Sequence, residues 1–221
     1  MKNIILGARL NFPDFQHGGQ VLSLEDKTLT QAWEDSAKEN GYETHIVQVT
    51  KEDSLPEYNL GANKCFALLE YLKEHRQEID KVCVADTLDV IFLKPNLFDY
   101  IEDNTIYIGN EPCNLGIPWI VVNSSPFLQQ EEFSRWYIQN SHLSLLNTGL
   151  IAGKVDIVID IMQQMADLLK SFTKGIDLGC DMFCLNYVAY RSTYKIVQGC
   201  PFNTVFKSYD YLNKECYAAH K

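Results

Sequence analysis

Hydrophobic positions follow alternating strand and helix patterns through the first 92 residues of this 221-residue chain. Short apolar runs and period-two alternation predict strands, while apolar residues three and four positions apart predict amphipathic helices. The resulting order β-α-β-α-β predicts an α/β domain with a mostly parallel central sheet flanked by helices, in which ligands bind at the carboxyl ends of the strands. The predicted strands are residues 4–6 (ending at Gly7), 42–49 and 81–85, and the predicted helices are residues 24–40 and 63–76.

The pattern is less regular in the second half of the chain. The strongest signal there is a helix rich in Ile, Met and Leu at residues 155–172. It follows a predicted buried strand at 145–153, which we expect its glycines to interrupt. Since no Pro/Ser-rich linker separates the two halves, we expect a single domain over residues 1–221. The other predicted elements are strands at 105–109, 119–122, 203–206 and 216–219 and helices at 127–137 and 180–190.

Charge and composition exclude several classes of protein. The chain has 19 basic and 29 acidic residues, a net charge of −10, which argues against nonspecific binding to nucleic acid or to an anionic membrane. A hydrophobic content of 46% excludes a disordered polyelectrolyte. No apolar run approaches the ~20 residues of a membrane span, and the first residues lack the long apolar region of a signal peptide. We therefore expect a soluble, cytoplasmic protein with no membrane span and no nucleic-acid partner.

The seven cysteines do not form a regular framework. Their number is odd and no Cys-x-x-Cys occurs, so neither a disulfide scaffold nor a zinc site is supported. We expect reduced cysteines that act as small hydrophobic residues.

Two acidic residues, Asp86 and Asp89, follow the predicted strand at 81–85. Two carboxylates three residues apart at the end of a buried strand can face one hard cation, and Mg²⁺ or Mn²⁺ completes its shell with phosphate and water. Such a metal would neutralise a leaving diphosphate. The alternative is structural, with Asp89 capping a turn and Asp86 solvated.

Three short segments, in order along the chain, resemble motifs of glycosyltransferases with the GT-A fold. Residues 84–92 (Val-Ala-Asp-Thr-Leu-Asp-Val-Ile-Phe) resemble the acidic DxxD variant of the DxD motif, and are most similar to the glycosyltransferase domain of lysyl hydroxylases and procollagen glycosyltransferases. Residues 146–154 are similar to the N-[ST]-G strand beside the donor sugar, and residues 179–186 to the helix start that presents a carboxylate to the reaction centre. The resemblance implies one GT-A-like, Rossmann-like domain, with a nucleotide-binding half (1–92) and an acceptor-side half (93–221).

The resemblance also implies a role for each matching residue on the donor side. Asp86 would contact the metal or the ribose, and Asp89 the metal and the diphosphate. A turn formed by Gly7, Ala8 and Arg9 would bind the uracil and ribose, where glycine allows close backbone approach. Lys64, at a helix start, would reach the nucleotide sugar. The structural alternatives are a strand-ending glycine at Gly7 and a solvated surface lysine at Lys64.

Further roles fall on the second half of the chain. Asn147 would bind sugar hydroxyls and Gly149 would leave room for the ring, or Asn147 is simply a strand-end residue. Asp181 would be the general base in an inverting enzyme and would orient the donor sugar in a retaining one, with a helix N-cap as the alternative. His220 stands where relatives often supply a third metal ligand. Cys180 departs from the pattern, because relatives often carry an acidic residue there.

The aromatic residues of the irregular middle segment allow two interpretations. Trp119, Trp136 and Tyr137 lie where an acceptor sugar would dock, and sugar C–H faces stack well on aromatic rings. Core packing is the simpler interpretation for all of them.

The resemblance of the three ordered motifs implies a metal-dependent hexosyl- or deoxyhexosyltransferase. It would use Mn²⁺ or Mg²⁺ and move the sugar from a nucleotide sugar, expected to be a UDP-sugar, to a hydroxyl of a glycan or other acceptor. One alternative is a sugar-phosphate nucleotidyltransferase, although Gly7-Ala8-Arg9 lacks the expected run of glycines. A second is a catalytically inactive glycosyltransferase-like module that binds a sugar or a partner. The sequence argues against a Rossmann dehydrogenase, because no Gly-x-Gly-x-x-Gly follows the first strand.

Overall fold

A six-stranded mixed sheet with the strand order β4-β1-β5-β8-β7-β9 forms the centre of the protein. The computed structural model describes residues 1–11, 16–17, 20–21, 30–50, 52, 54–176, 179–205 and 213–220. Five strands of this sheet run in one direction and β8 runs against them, so the predicted mostly parallel sheet is confirmed. The strands are β1 (Lys2–Asn11), β2 (Gln16–His17), β3 (Gln20–Val21), β4 (Thr44–Thr50), β5 (Ile79–Ala85), β6 (Val90–Phe92), β7 (Thr105–Asn114), β8 (Ser144–Lys154), β9 (Lys195–Val197), β10 (Asn203–Val205) and β11 (Ala218–His220).

Helices cover both faces of the central sheet. Residues of the second, seventh and eighth helices share one apolar core with the sheet, and Trp33 of the first helix packs in a second core with the strand Val90–Phe92. The Asn59 side chain accepts a hydrogen bond from the Ala62 amide at 2.8 Å and so caps the second helix. The helices are α1 (Gln31–Glu39), α2 (Leu60–Glu74), α3 (Leu97–Tyr100), α4 (Pro118–Asn123), α5 (Ser125–Leu128), α6 (Glu131–Asn140), α7 (Val155–Phe172) and α8 (Asp181–Arg191).

A second sheet of three strands, β10-β11-β6, lies beside the central one. Strand β11 is its middle strand, pairing parallel with β10 and antiparallel with β6. Since β6 begins directly after Asp89, this pairing ties the segment that carries His220 to the end of β5. The division of the chain at residue 92 stays a prediction.

Several predicted boundaries are wrong. Strand β1 continues past Gly7 to Asn11, so Gly7, Ala8 and Arg9 lie within a strand and do not form a turn. Residues 119–122 are helical, because Pro118 occupies the first helical position of α4, where its fixed φ favours a helix. The helix predicted at 127–137 is two helices, α5 and α6. Of the helix predicted at 24–40, residues 24–29 lie outside the described residues.

Strand β8 is continuous through both of its glycines. Gly153 pairs with Val82 on one side and Ile106 on the other. This pairing keeps the backbone extended at the glycine, so the predicted interruption of the strand is wrong. The other glycine, Gly149, lies beside the carboxyl end of β5, where its carbonyl accepts from the Asp86 amide.

All seven cysteines are free thiols, and Cys65, Cys83, Cys180, Cys184 and Cys216 are buried. Burial raises the pKa of Cys65 to about 12. Among the described residues, no helix combines the length and the apolar character that crossing a bilayer requires.

Candidate active site

A single helical turn after β5 points Asp86 and Asp89 in the same direction. The Asp86 amide donates to the Gly149 carbonyl at 2.8 Å, so it still pairs with β8. The Asp86 carbonyl then accepts from the Val90 amide at 3.2 Å, which closes a turn of five residues. Side chains three positions apart in such a turn lie on one side, which accounts for the spacing of the two carboxylates.

Strand β11 brings His220 to these carboxylates. His220 pairs with Val90 across the small sheet and is 3% exposed. Its Nε2 lies 3.7 Å from Asp89 Oδ1. One ligand atom from each of Asp86, Asp89 and His220 lies within 4.8 Å of the others. The structure therefore brings together the three residues predicted as metal ligands.

Gly149 forms one wall of this cluster. A methyl group at Gly149 would lie 2.6 Å from His220 Nε2 and 2.9 Å from Asp86 Oδ2, closer than real side chains approach. Only glycine leaves this space open. Two carboxylates and an imidazole are ligands that Mn²⁺ accepts, and carboxylates also suit Mg²⁺. The residues present therefore fit a divalent cation.

Lys64 of α2 lies against the same cluster. Its Nζ is 2.5 Å from Asp86 Oδ1, and its side chain is 20% exposed. Burial by itself would lower the pKa of this lysine, but the charges of Asp86, Asp181 and then Asp89 outweigh that effect and raise the pKa above its usual value. Lys64 is therefore a fixed positive charge among three carboxylates, and not a solvated surface residue.

Asp181, at the start of α8, is near enough to Lys64 for its charge to act on the lysine. Its Oδ2 accepts a hydrogen bond from Thr148 Oγ1 at 3.0 Å. A methyl group at Gly61, in the first turn of α2, would lie 3.4 Å from the same carboxyl group. Asp181 is in the first turn of its helix and does not cap it, because Cys180 is the cap residue and makes no capping side-chain bond. The carboxylate is thus directed at strand β8.

The segment Gly7–Arg9 of β1 runs beside the turn that carries the two carboxylates. Thr87 Oγ1 donates to the Ala8 carbonyl at 3.1 Å. A methyl group at Gly7 would lie 2.3 Å from Thr87 Cγ2, so glycine is required there for close packing. Arg9 is the next residue along the same strand after Ala8, nearer the carboxyl edge.

Asn147 uses half of its side-chain hydrogen-bonding capacity within the fold. Its Oδ1 accepts from the Gly149 amide at 2.7 Å, and its Nδ2 donates to Glu111 Oε1. One N–H and one lone pair remain for a ligand. Asn147 therefore shapes the backbone next to Gly149, and its predicted contact with sugar hydroxyls stays a prediction.

Asn186 fixes α8 to β8. The pairing of β8 with β5 ends at Leu150, followed by the hydrogen bond from Asp86 to Gly149, and no described strand pairs with this side of β8 beyond Gly149. The fully buried Asn186 amide covers this edge, accepting from the Leu146 amide at 2.9 Å and donating to the Leu146 carbonyl at 2.8 Å. Its Nδ2 also reaches the Met182 carbonyl at 2.7 Å. This clamp sets the position of Asp181 against Thr148.

The sequence interpretation missed Glu111, Thr148 and Asn186. Glu111 follows Gly109-Asn110 at the point where a strand was predicted to end, and polar residues after a strand are the signal that would have identified it. Thr148 lies within the N-[ST]-G segment at residues 147–149, but no role was predicted for it. Asn186 carries no such signal, because its role depends on where β5 stops.

Comparison with known proteins confirms the predicted fold class. A solved structure described as a glycosyltransferase involved in the glycosylation of the major capsid of PBCV-1 is similar to this chain with a TM-score of 0.55 and 13% identity. The similarity covers 99% of this chain and 91% of that one. No protein-family model and no curated protein sequence matches. The chain is thus an α/β domain, with a six-stranded sheet flanked by helices, that shares its fold with a glycosyltransferase.

Proposed function

We propose that this chain is a metal-dependent glycosyltransferase that moves a hexose or deoxyhexose from a UDP-sugar to a hydroxyl group. The observation that carries the proposal is the convergence of Asp86, Asp89 and His220, with ligand atoms within 4.8 Å, at the carboxyl edge of the central sheet. Similarity to a glycosyltransferase structure supports the transferase class.

The metal-ligand cluster and its neighbours would bind the donor. Asp86, Asp89 and His220 would hold Mn²⁺ or Mg²⁺, which when bound supplies positive charge to the leaving diphosphate. Lys64 adds a permanent positive charge on the same side. Gly7, Ala8 and Arg9 would bind the uracil and ribose, since they lie beside the turn that holds the two carboxylates. A net-acidic protein can bind an anionic donor in this way because the positive charge is local.

Asp181 would act on the acceptor side. Its Oδ2 accepts a hydrogen bond from Thr148 Oγ1, which fixes the orientation of the carboxylate. In an inverting reaction Asp181 takes the proton of the attacking hydroxyl, and in a retaining reaction it stabilises the donor sugar. Asn147 and Gly149 would face the transferred sugar from strand β8.

A screen of nucleotide sugars for metal-dependent hydrolysis tests the proposal. We expect the protein to release free nucleotide from one UDP-sugar with Mn²⁺ or Mg²⁺, and Asp89→Ala to abolish this release. Asp103→Ala is the matched control, because Asp103 is 91% exposed and its Oδ1 lies 3.7 Å from Lys154 Nζ. Absence of hydrolysis across the panel with either metal would overturn the proposal. Release of pyrophosphate from a nucleoside triphosphate and a sugar phosphate would identify a nucleotidyltransferase instead.

A further inference from the structure

An exposed aromatic ring lies beside Asp181. Trp119, at the start of α4, is 47% exposed, whereas Trp33 is buried. Trp136 packs against Phe183 and Tyr187. Of the three tryptophans, Trp119 therefore offers the most ring surface to a ligand, and core packing does not account for it.

Gly179 leaves a gap between this ring and the carboxylate of Asp181. A methyl group at Gly179 would lie 3.9 Å from Trp119 Cη2, 3.9 Å from Asp181 Oδ1 and 3.8 Å from Asn123 Oδ1. One small space is thus bordered by an aromatic ring, an amide oxygen and a carboxylate. We call this space, between Trp119, Asn123, Gly179 and Asp181, the Trp119 cleft.

The walls of the Trp119 cleft are held in place. Cys180 Sγ donates to the Asn123 carbonyl at 2.8 Å, which docks the end of α4 on the start of α8. Burial, together with the charge of Asp181, raises the pKa of Cys180 to about 12, so the thiol keeps its proton for this bond. Asn123 Nδ2 donates to the Trp119 carbonyl at 2.9 Å, which leaves the amide oxygen directed to the cleft.

We propose that the Trp119 cleft is the acceptor subsite and that the acceptor is a sugar ring. A pyranose has an apolar C–H face that stacks on an indole and hydroxyl groups that donate to an amide or carboxylate oxygen. A serine or threonine side chain has the hydroxyl but no such face. The inference rests on the proposed function, because it assigns the acceptor of the same reaction. It also gives Cys180, which departs from the family pattern, a structural role at this subsite.

Transfer assays with simple acceptors test the inference. The donor is the UDP-sugar identified by hydrolysis, and the acceptors are methyl glucoside, methyl galactoside, methyl mannoside and a Ser/Thr peptide. We expect transfer to a methyl glycoside and not to the peptide. Trp119→Ala should raise the acceptor KM about tenfold and lower the ratio of transfer to hydrolysis, since stacking of one ring is worth about that factor. Trp119→Phe should retain most of the transfer.

Two further variants separate this role from a structural one. Gly179→Val should fill the cleft and raise the acceptor KM, while Val122→Ala, a 64% exposed position on the same helix, should change nothing. Thermal unfolding checks that each variant is folded. Transfer only to the peptide, or an acceptor KM that stays within twofold in both Trp119→Ala and Gly179→Val, would overturn the inference while donor hydrolysis persists. Absence of donor hydrolysis in the unmodified protein would overturn the proposed function, and this inference with it.

Discussion

Lys64 donates to Asp86 across 2.5 Å, from a helix to the turn that follows β5, with both side chains mostly buried. The same lysine is close enough to Asp181 for that carboxylate to raise its pKa, although burial opposes the effect. One ammonium group thus links the metal-ligand cluster to the candidate base. Its positive charge offsets the repulsion among carboxylates that the fold places side by side.

Replacing Lys64 tests how much its positive charge, placed among the three carboxylates, stabilises the fold. We expect Lys64→Met to lower the free energy of unfolding by about 1–2 kcal/mol, less than for a fully buried pair because both side chains keep some solvent contact. Urea unfolding at neutral pH measures the change. Lys73→Met is the control, since its ion pair with Glu70 is on the surface and should contribute little.

The pH dependence of this difference gives a second check. A lysine whose pKa is higher in the folded than in the unfolded state contributes stability that is full below its unfolded pKa of 10.5 and lost as pH rises through the folded value. The difference between the native protein and Lys64→Met should therefore be constant between about pH 7 and about pH 9 and shrink only above 10.5. If the stability difference between the native protein and Lys64→Met already disappears near neutral pH, the pKa of Lys64 is not raised in the folded state.

Gly149→Ala should fill part of the space between the metal-ligand candidates. The added methyl group would lie 2.6 Å from His220 Nε2, so the imidazole must move away from the two carboxylates. We expect the affinity for Mn²⁺, measured by calorimetry, to fall at least about tenfold because one of three ligands is displaced. Gly153→Ala, on the same strand and against Thr105 and Val158, should cost stability without changing the affinity. Equal affinities in the two variants would argue against His220 as a ligand.

Asp181→Asn should separate catalysis from metal binding. The amide keeps the shape of the side chain but cannot take a proton, so we expect the rate of transfer to fall by about 10²–10⁴. Mn²⁺ affinity should change by less than about twofold, because Asp181 is not among the three metal-ligand candidates. Thr148→Val should have a smaller effect on the rate, as it removes only the bond that orients the carboxylate. A near-native rate of transfer in Asp181→Asn would show that Asp181 takes no part in proton transfer.

Asn186→Ala tests the clamp between α8 and β8. The variant leaves the buried amide and carbonyl of Leu146 without their partner, and we expect a loss of about 2–4 kcal/mol in the free energy of unfolding. Urea unfolding measures this loss. Asn140→Ala is the comparison, because its single bond to the Trp136 carbonyl is partly exposed and should be worth under about 1 kcal/mol. Similar losses of stability in both variants would contradict the role of Asn186 in fixing α8 to β8.

Elements with a strong local signal could be predicted from the sequence. Helix α7 has the predicted bounds because a long amphipathic pattern starts and ends clearly at Val155 and Phe172. Asp86 and Asp89 could be placed because the end of a buried strand is visible in the sequence. The segment at Trp119 was assigned to the wrong element, since its apolar run fits a strand or a helix and the preceding Pro118 decides between them.

Features that depend on distant pairing could not be derived from local patterns. His220 reaches Asp89 only because β11 pairs with β6, a contact between the end and the middle of the chain. The strand end predicted at Gly7 is wrong because β4 pairs with β1 from Ile5 as far as Asn11, although the pairing with β5 ends at Leu6. The glycine gives room to Thr87. Such tertiary contacts override the local preference of a glycine to end a strand.

Calorimetric titration of UDP in the presence and absence of Mn²⁺ tests the central claim most directly. The claim is that Asp86, Asp89 and His220 bind a divalent cation that in turn holds a nucleoside diphosphate. We predict that the native protein binds UDP at least about tenfold more tightly with Mn²⁺ than without it, and that Asp89→Ala loses this difference while remaining folded, since a site residue supports little of the core. UDP binding that is absent or independent of Mn²⁺ in the native protein would contradict the claim.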